Sequence, residues 1–220
     1  MKIIGINGSP RPKGNSATLL DEALRGAAEN GAEVERIDIY KLNFKGCCSC
    51  FSCKRKGPFY GKGCAMSDDL TPVLKSLVAA DGWVFASPIY NGHMSSGLSA
   101  LLERLYFPYH NYDAVEAFKQ GMLEKTIPSV LIYTMNGNKE FMDKFGLEHS
   151  CKYDAMKMGV FGGCEYMVAN FTIQFDDYSK YHAASVPVEK KLKYHEEHFP
   201  IDLKRAYDLG KNLSEKISAI

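Results

Sequence analysis

The sequence predicts an α/β fold in which a parallel sheet is covered by helices on both faces. Three observations predict it. Short apolar runs alternate with longer segments whose apolar residues recur at helical spacing, the pattern of strand–helix–strand units. The run Trp83-Val84-Phe85-Ala86 is apolar throughout, so it has no wet face, as expected inside a parallel sheet. A polar, glycine-containing turn, Asn7-Gly8-Ser9, follows the first apolar run and leads into a helical pattern, as a β–α connection should.

Each element has its own signal. Residues 2–7 form a strand around Ile3-Ile4-Gly5-Ile6. Residues 16–30 form a helix with Leu20, Ala23, Leu24, Ala27 and Ala28 on one face, stopped by Asn30-Gly31. Val34 to Ile39 form a second strand, and residues 41–67 are irregular and rich in cysteine. Ser67-Asp68-Asp69 caps a helix that carries Leu70, Val73, Leu74, Leu77 and Val78. Trp83 to Ala86 are a third strand, and Ser95 or Ser96 opens a helix with Leu98, Leu101, Leu102 and Leu105. Residues 107–125 read as an aromatic insertion, Val130 to Tyr133 as a fourth strand, 138–158 as a helix and Glu165 to Ile173 as a fifth strand. Pro200 begins a last helix with Leu203, Ala206, Tyr207 and Leu213 inward.

Composition sets bounds. The 220 residues suit one domain and one core. A net charge of +1 makes no electrostatic case for nucleic acid. No basic, apolar leader is visible at the N-terminus. No run approaches the roughly 18 apolar residues of a membrane span. Seven cysteines, five of them between Cys47 and Cys64, look unlike a disulfide framework and read as metal ligands or thiols in a cytoplasmic chain.

The loop Asn7 to Ser16 carries the first chemical signal. Gly8 and Gly14 permit tight turning and close approach to a ligand. Asn15 or Ser16 is placed to cap the helix, whose N–H groups and positive end point into the loop. Ser9, Asn15, Ser16 and Thr18 add side-chain hydrogen bonds, and Arg11 adds a charge suited to gripping phosphate. Neither G-x-x-x-x-G-K-[ST] nor G-x-G-x-x-G is present, so a terminal monophosphate suits the loop better than a pyrophosphate. A polar turn with a good helix cap would use the same residues. The second signal is Ser87-Pro88-Ile89-Tyr90-Asn91-Gly92-His93-Met94, a loop after a buried strand that offers backbone polar groups and Tyr90 to a flat heterocycle. In an open sheet these loops, with Thr134 to Asn138, meet at the C-terminal strand ends.

Gly8-Ser9-Pro10-Arg11 through Asn15-Ser16, Ser87-Pro88-Ile89-Tyr90, Gly97-Leu98 and Leu102-Glu103-Arg104 together resemble the NADPH-dependent FMN reductase family of flavodoxin-like proteins. In particular they resemble its iron–sulfur flavoprotein branch, which carries a compact cysteine motif before the second helix. The resemblance is strong over residues 1–135 and weaker in motif beyond. It implies a three-layer sandwich with a five-stranded parallel sheet in order 2-1-3-4-5. The chain is then a single FMN-binding domain over 1–220, with a cysteine-rich insertion at about 44–66 and an aromatic one at about 107–125.

The resemblance also implies site roles. An FMN phosphate is held by Ser9, Arg11, Asn15, Ser16 and Thr18. The isoalloxazine lies on Pro88, Ile89, Tyr90, Asn91, Gly92, His93 and Met94, flanked by Thr134, Met135, Asn136 and Gly137. A homodimer or homotetramer is implied, with the flavin near the subunit interface. The expected activity takes hydride from NAD(P)H and passes electrons to a quinone, a flavin, a metal or a protein carrier, the chemistry residing in the cofactor. Two other classes stand beside it: an electron carrier without nicotinamide turnover, and a non-catalytic zinc or thiol regulatory protein.

Cys47, Cys50 and Cys53 stand at C-x₂-C-x₂-C spacing, which suits a [4Fe–4S] cluster with Cys64 as fourth ligand. Lys54, Arg55, Lys56 and Lys62 would offset the cluster's charge. The ten residues between Cys53 and Cys64 exceed the spacing typical of the branch, and Cys48 is an extra thiol. Zinc or free thiols remain alternatives. His195 and His198 do not fit H-E-x-x-H and read as a solvated face. Phe175 to Tyr181 carries no assignable role.

Overall fold

A computed structural model describes residues 1–113 and 122–220. Part of the 107–125 insertion therefore lies outside the described residues. The strands are β1 (Lys2–Asn7), β2 (Glu33–Asp38), β3 (Gly82–Tyr90), β4 (His93–Met94), β5 (Ser129–Thr134) and β6 (Cys164–Ala169). The helices are α1 (Asn15–Glu29), α2 (Leu70–Ala79), α3 (Ser96–Tyr106), α4 (Lys139–Lys144), α5 (Leu147–Met158) and α6 (Val188–Ser218). The long strands pair in the order β2-β1-β3-β5-β6, all parallel, which is the expected order with the switch between β1 and β3.

Alternation along the strands divides the core in two. Ile4, Ile6, Trp83, Phe85, Leu131 and Tyr133 point to the face covered by α2, α3 and α5. Ile3, Val84, Ala86, Val130 and Ile132 point to the other face, which packs on α1 and α6. Both faces of the central strands are dry, which explains their unbroken apolar runs. The face under α1 and α6 carries smaller side chains, and the two helices cross closely over it. A Cβ on Gly210 would lie 1.8 Å from the Ala23 carbonyl oxygen, so only glycine permits this approach.

Four elements differ from the sequence reading. The segment 138–158 is two helices, because Gly146 adopts φ +62° between α4 and α5. Helix α6 begins at Val188, and Pro200 lies inside it. Buried Lys191 and inward-facing Phe199 lie N-terminal to the proline, and that packing outweighs a local cost of roughly 3 kcal/mol. Strand β6 stops at Ala169; Phe171 at φ +55° turns the chain so that Thr172 N–H bonds the Met135 carbonyl at 3.0 Å. Finally, β3 runs on to Tyr90 and folds back on β4 through Asn91 (φ +51°) and Gly92 (φ +86°). The segment read as a loop is therefore a hairpin, and its Asn-Gly pair is the usual signal for such a turn. No helix among the described residues is long and apolar enough to cross a membrane.

Candidate functional site

The loop after β1 is held by neighbours rather than by itself. Asn7 is fully buried; its Oδ1 accepts from Ser9 N–H at 3.1 Å, and its Nδ2 donates to Asp38 at 2.9 Å. Gly8 N–H donates to the Ala86 carbonyl at 2.7 Å, and a Cβ on Gly8 would come within 2.9 Å of that oxygen. Ser95 Oγ donates to the Gly8 carbonyl at 2.5 Å. These contacts press the loop against β3 and the start of α3.

Neither Asn15 nor Ser16 caps α1. Gly14 is the N-cap residue and makes no side-chain cap hydrogen bond. Asn15 Nδ2 instead donates to the Ile173 carbonyl at 2.7 Å, and Ser16 Oγ pairs with Thr134 Oγ1 at 2.8 Å. The expected cap is thus spent on tertiary contacts, which leaves the helix end open toward a cavity. Such an end receives anions.

That cavity, of about 630 Å³, brings together Ser9, Arg11, Asn15 and Ser16 with Pro88, Ile89, Tyr90 and Asn91 from the hairpin and Thr134, Met135 and Asn136 from the end of β5. Three strand ends meet as the fold requires. Thr18 does not line it; its hydroxyl donates to the Gly14 carbonyl at 3.2 Å. Gly92, His93, Met94 and Gly137 also stand outside the lining: the first three build the turn and β4, and the Gly137 carbonyl accepts from Phe171 N–H at 2.7 Å.

The sequence reading missed a fourth wall. Thr172, Ile173 and Gln174 cross over the loop as a strap, and Arg11 bonds the Gln174 carbonyl. It also missed Lys191, which is fully buried beneath this wall. Its Nζ donates to the Asn136 carbonyl at 2.7 Å and sits 4.1 Å from the centre of the Phe171 ring. Burial alone pulls its pKa down to about 8. No local motif marks either feature, since both depend on how α6 returns to the sheet.

The cysteine segment forms a separate place. Cys47, Cys48, Cys50, Cys53 and Cys64 all line one small cavity, together with Phe51, Met66, Glu103 and Arg104, and share none of the first cavity's walls. All seven cysteines are free thiols. Among the described residues no three candidate ligands stand at metal-holding distances. Hydrogen bonds from Ser52, its backbone first, hold the exposed Cys50 thiol below its ordinary value, and burial pushes Cys53 up. Arg104, 1% exposed, donates to Cys64 Sγ at 3.4 Å and grips both oxygens of Asp68 at 2.6 and 3.0 Å. Cys151 and Cys164 lie elsewhere, and burial pushes them up to about 12 and about 11, so both are neutral thiols.

Comparison with known proteins places this architecture. The model of the NADPH-dependent FMN reductase family matches residues 1–171. An iron–sulfur flavoprotein of Methanocaldococcus jannaschii is 41% identical over 148 residues, covering 61% of this chain and 74% of that protein. An iron–sulfur flavoprotein of Archaeoglobus fulgidus is 29% identical over 140 residues, covering 64% of this chain and 58% of that protein. The solved NAD(P)H:quinone oxidoreductase from Methanothermobacter marburgensis superposes with a TM-score of 0.70 over 97% of this chain and 96% of its own, at 17% identity, a likeness of fold. The chain belongs to the NADPH-dependent FMN reductase family.

Proposed function

We propose that the protein is an FMN-dependent oxidoreductase that takes hydride from NAD(P)H and passes electrons to a small acceptor or a protein carrier. One observation carries this reading: the uncapped end of α1 opens, with Ser9, Arg11, Asn15 and Ser16, into a cavity walled by the β3–β4 hairpin and the end of β5. The residues fit FMN. The helix end and Arg11 suit a monophosphate dianion. The cavity volume falls within the usual range for a small-ligand site. When bound, FMN would supply the hydride and one-electron chemistry. The protein's part is to hold the phosphate through α1 and Arg11 and to present hairpin and Thr134–Asn136 backbone groups to a flat ring. Half-exposed Tyr90 lines the same cavity and offers it an aromatic face. Both core clusters share one sheet, which supports a single domain over 1–220. Free thiols throughout support a reducing, cytoplasmic setting. Exposed Phe141, Phe145, Tyr153 and Met156 support a homodimer or homotetramer.

The test is a titration and an assay. Arg11→Ala should weaken FMN about 10- to 150-fold while leaving riboflavin nearly unchanged, because a hydrogen bond to a charged group is worth roughly 1.5–3 kcal/mol. FMN-loaded protein should oxidise NADH or NADPH with a quinone or ferric acceptor. Equal losses for both ligands would remove Arg11 from the phosphate.

The five cysteines around one cavity favour a second reading, in which the protein relays electrons between partners. The donor set suits a [4Fe–4S] cluster at Cys47, Cys50, Cys53 and Cys64. Anaerobically purified protein should then hold about four irons per chain, and Cys50→Ala should remove them while FMN stays bound. Flavin that stays oxidised under excess NADH and NADPH, in iron-loaded protein, would select the carrier over the reductase. Zinc in place of iron, or neither, would end the cluster.

A further inference from the structure

Strand β2 carries a charged pair that stands apart from the first cavity. Arg36 and Asp38 lie two residues apart on this edge strand, so both side chains leave the same face of the sheet. That face is the one covered by α1. Across the register Arg36 lies beside Gly5, where a Cβ would meet Leu20 and Leu24 of that helix. Both are largely shielded from water, with side chains 23% and 16% exposed.

Arg36 acts as a fork. Its Nε and Nη2 donate to Asp38 Oδ1 at 3.1 and 2.8 Å. Its Nη1 donates to the two oxygens of Asp21, on α1, at 2.8 and 2.6 Å. Nη2 also donates to the Pro12 carbonyl at 2.6 Å. Proline has no N–H, so that carbonyl is the main-chain group by which Pro12 can be held. Asp38 carries the connection onward. Its Oδ1 accepts from Asn7 Nδ2, and Asn7 Oδ1 accepts from Ser9 N–H. Ser9 Oγ then accepts from Arg11 N–H at 3.1 Å. The network thus reaches the loop after β1 at its start, through Asn7, and at its middle, through Pro12. Neither Arg36 nor Asp38 lines the first cavity.

Burial alone would raise the Asp38 carboxyl. Hydrogen bonds from Lys41, Asn7 and Arg36 outweigh it and hold the group at about 2. Lys41 pairs with its second oxygen at 2.9 Å. Two cations therefore balance the carboxylates of Asp21 and Asp38, and no net negative charge stands behind a loop that faces an anion. Ion pairs this near solvent add little to global stability. What the planar guanidinium does add is geometry, since it ties β2, α1 and the loop to one rigid group.

We propose that Arg36 and Asp38 are positioning residues that hold the loop from Asn7 to Ser16 in the shape that receives the FMN phosphate. The identity of the anion rests on the FMN reading; the bracing of the loop does not.

The test uses the full-length protein and two readouts: affinity for FMN and for riboflavin by calorimetry, and amide hydrogen exchange in the flavin-free chain. Arg36→Met should weaken FMN about tenfold and riboflavin less than about twofold, because only the phosphate needs the loop. Asp38→Ala, which leaves buried Asn7 Nδ2 without its acceptor, should act alike. Arg36→Lys keeps the charge but offers a point donor in place of the fork, so it should still weaken FMN, by about threefold. In all three flavin-free variants the Ser9 and Arg11 amides should exchange faster, while amides of β3 and β5 stay as protected as in wild type, which reports that the variants fold. Equal losses for the two flavins, unchanged FMN affinity, or unchanged exchange at Ser9 and Arg11 would each overturn the proposal. Faster exchange throughout β3 and β5 would overturn it too, since the pair would then hold the fold and not the loop. Wild-type protein that binds neither flavin would sink the FMN reading instead, and the exchange data would then decide the bracing alone.

Discussion

Lys191 donates from Nζ to the Asn136 carbonyl at 2.7 Å while its side chain has no exposure to solvent. A buried ammonium with a carbonyl and an aromatic ring, but no carboxylate partner among the described residues, is an uncommon arrangement in a core. Asn136 lines the first cavity, so α6 acts on the candidate site through this bond.

Lys191→Met should therefore separate stability from binding. Removing an unpaired buried charge for an apolar side chain of similar length is neutral or stabilising near pH 7. FMN binding should weaken, because the Asn136 loop loses its support. The sign with pH follows from the lowered pKa. Between about 8 and the ordinary 10.5 the unfolded chain holds the proton and the folded one does not, so wild-type stability rises across that window. The variant's advantage should shrink there by about 3 kcal/mol. Chemical denaturation of both proteins at pH 7 and pH 10 measures it. A constant difference would contradict the buried charge.

Gly92→Ala should loosen the hairpin wall. Gly92 sits at φ +86°, where an L side chain costs about 1–2 kcal/mol. FMN affinity should fall, and the melting temperature should drop by no more than the roughly 2–8 °C that this strain is worth, since the turn carries no core. Unchanged affinity would show that the hairpin tip does not shape the cavity.

Arg104→Met should be severely destabilising, by about 3–5 kcal/mol, because Asp68 would lose both guanidinium bonds and keep its charge on backbone N–H donors such as Leu70 alone. Hydrogen bonding from Arg104 holds the Asp68 carboxyl below its ordinary 3.8. Its contribution is thus present above pH 3.8 and is lost as the pH falls through the lowered value. The stability difference between wild type and variant should narrow below that point. A variant as stable as wild type at pH 7 would refute the role of this pair in shaping the cysteine cavity.

Gly210→Ala should lower the melting temperature, although alanine is the better helix former by roughly 1 kcal/mol. The added Cβ would meet backbone of α1, which cannot step aside as a side chain can. Overpacking of this kind costs about 1–3 kcal/mol. Gly26→Ala, whose Cβ would lie 2.1 Å from the Tyr207 carbonyl oxygen, should behave alike. A raised melting temperature in either would mean that the helices can separate freely.

Much of this was legible in the chain itself. The apolar runs at β1, β3 and β5 declare buried strands, because a strand wet on neither face needs no polar alternation. The turn at Gly8 and the hydroxyls around it mark the loop that lines the first cavity, because those groups act locally. The Asn91-Gly92 pair held the hairpin signal, although the reading of 87–94 as a loop passed over it. Three features were decided only by tertiary structure. Helix α6 runs through Pro200 because packing on both sides of the proline exceeds its local cost. Asn15 and Ser16 leave the helix end open because Ile173 and Thr134, far along the chain, compete for their side chains. The strap at 172–174 and the ammonium of Lys191 reach the site only when β6 and α6 return to the sheet. Local sequence reports the conformations a segment prefers, whereas contacts between distant segments decide which of those preferences the folded chain overrides.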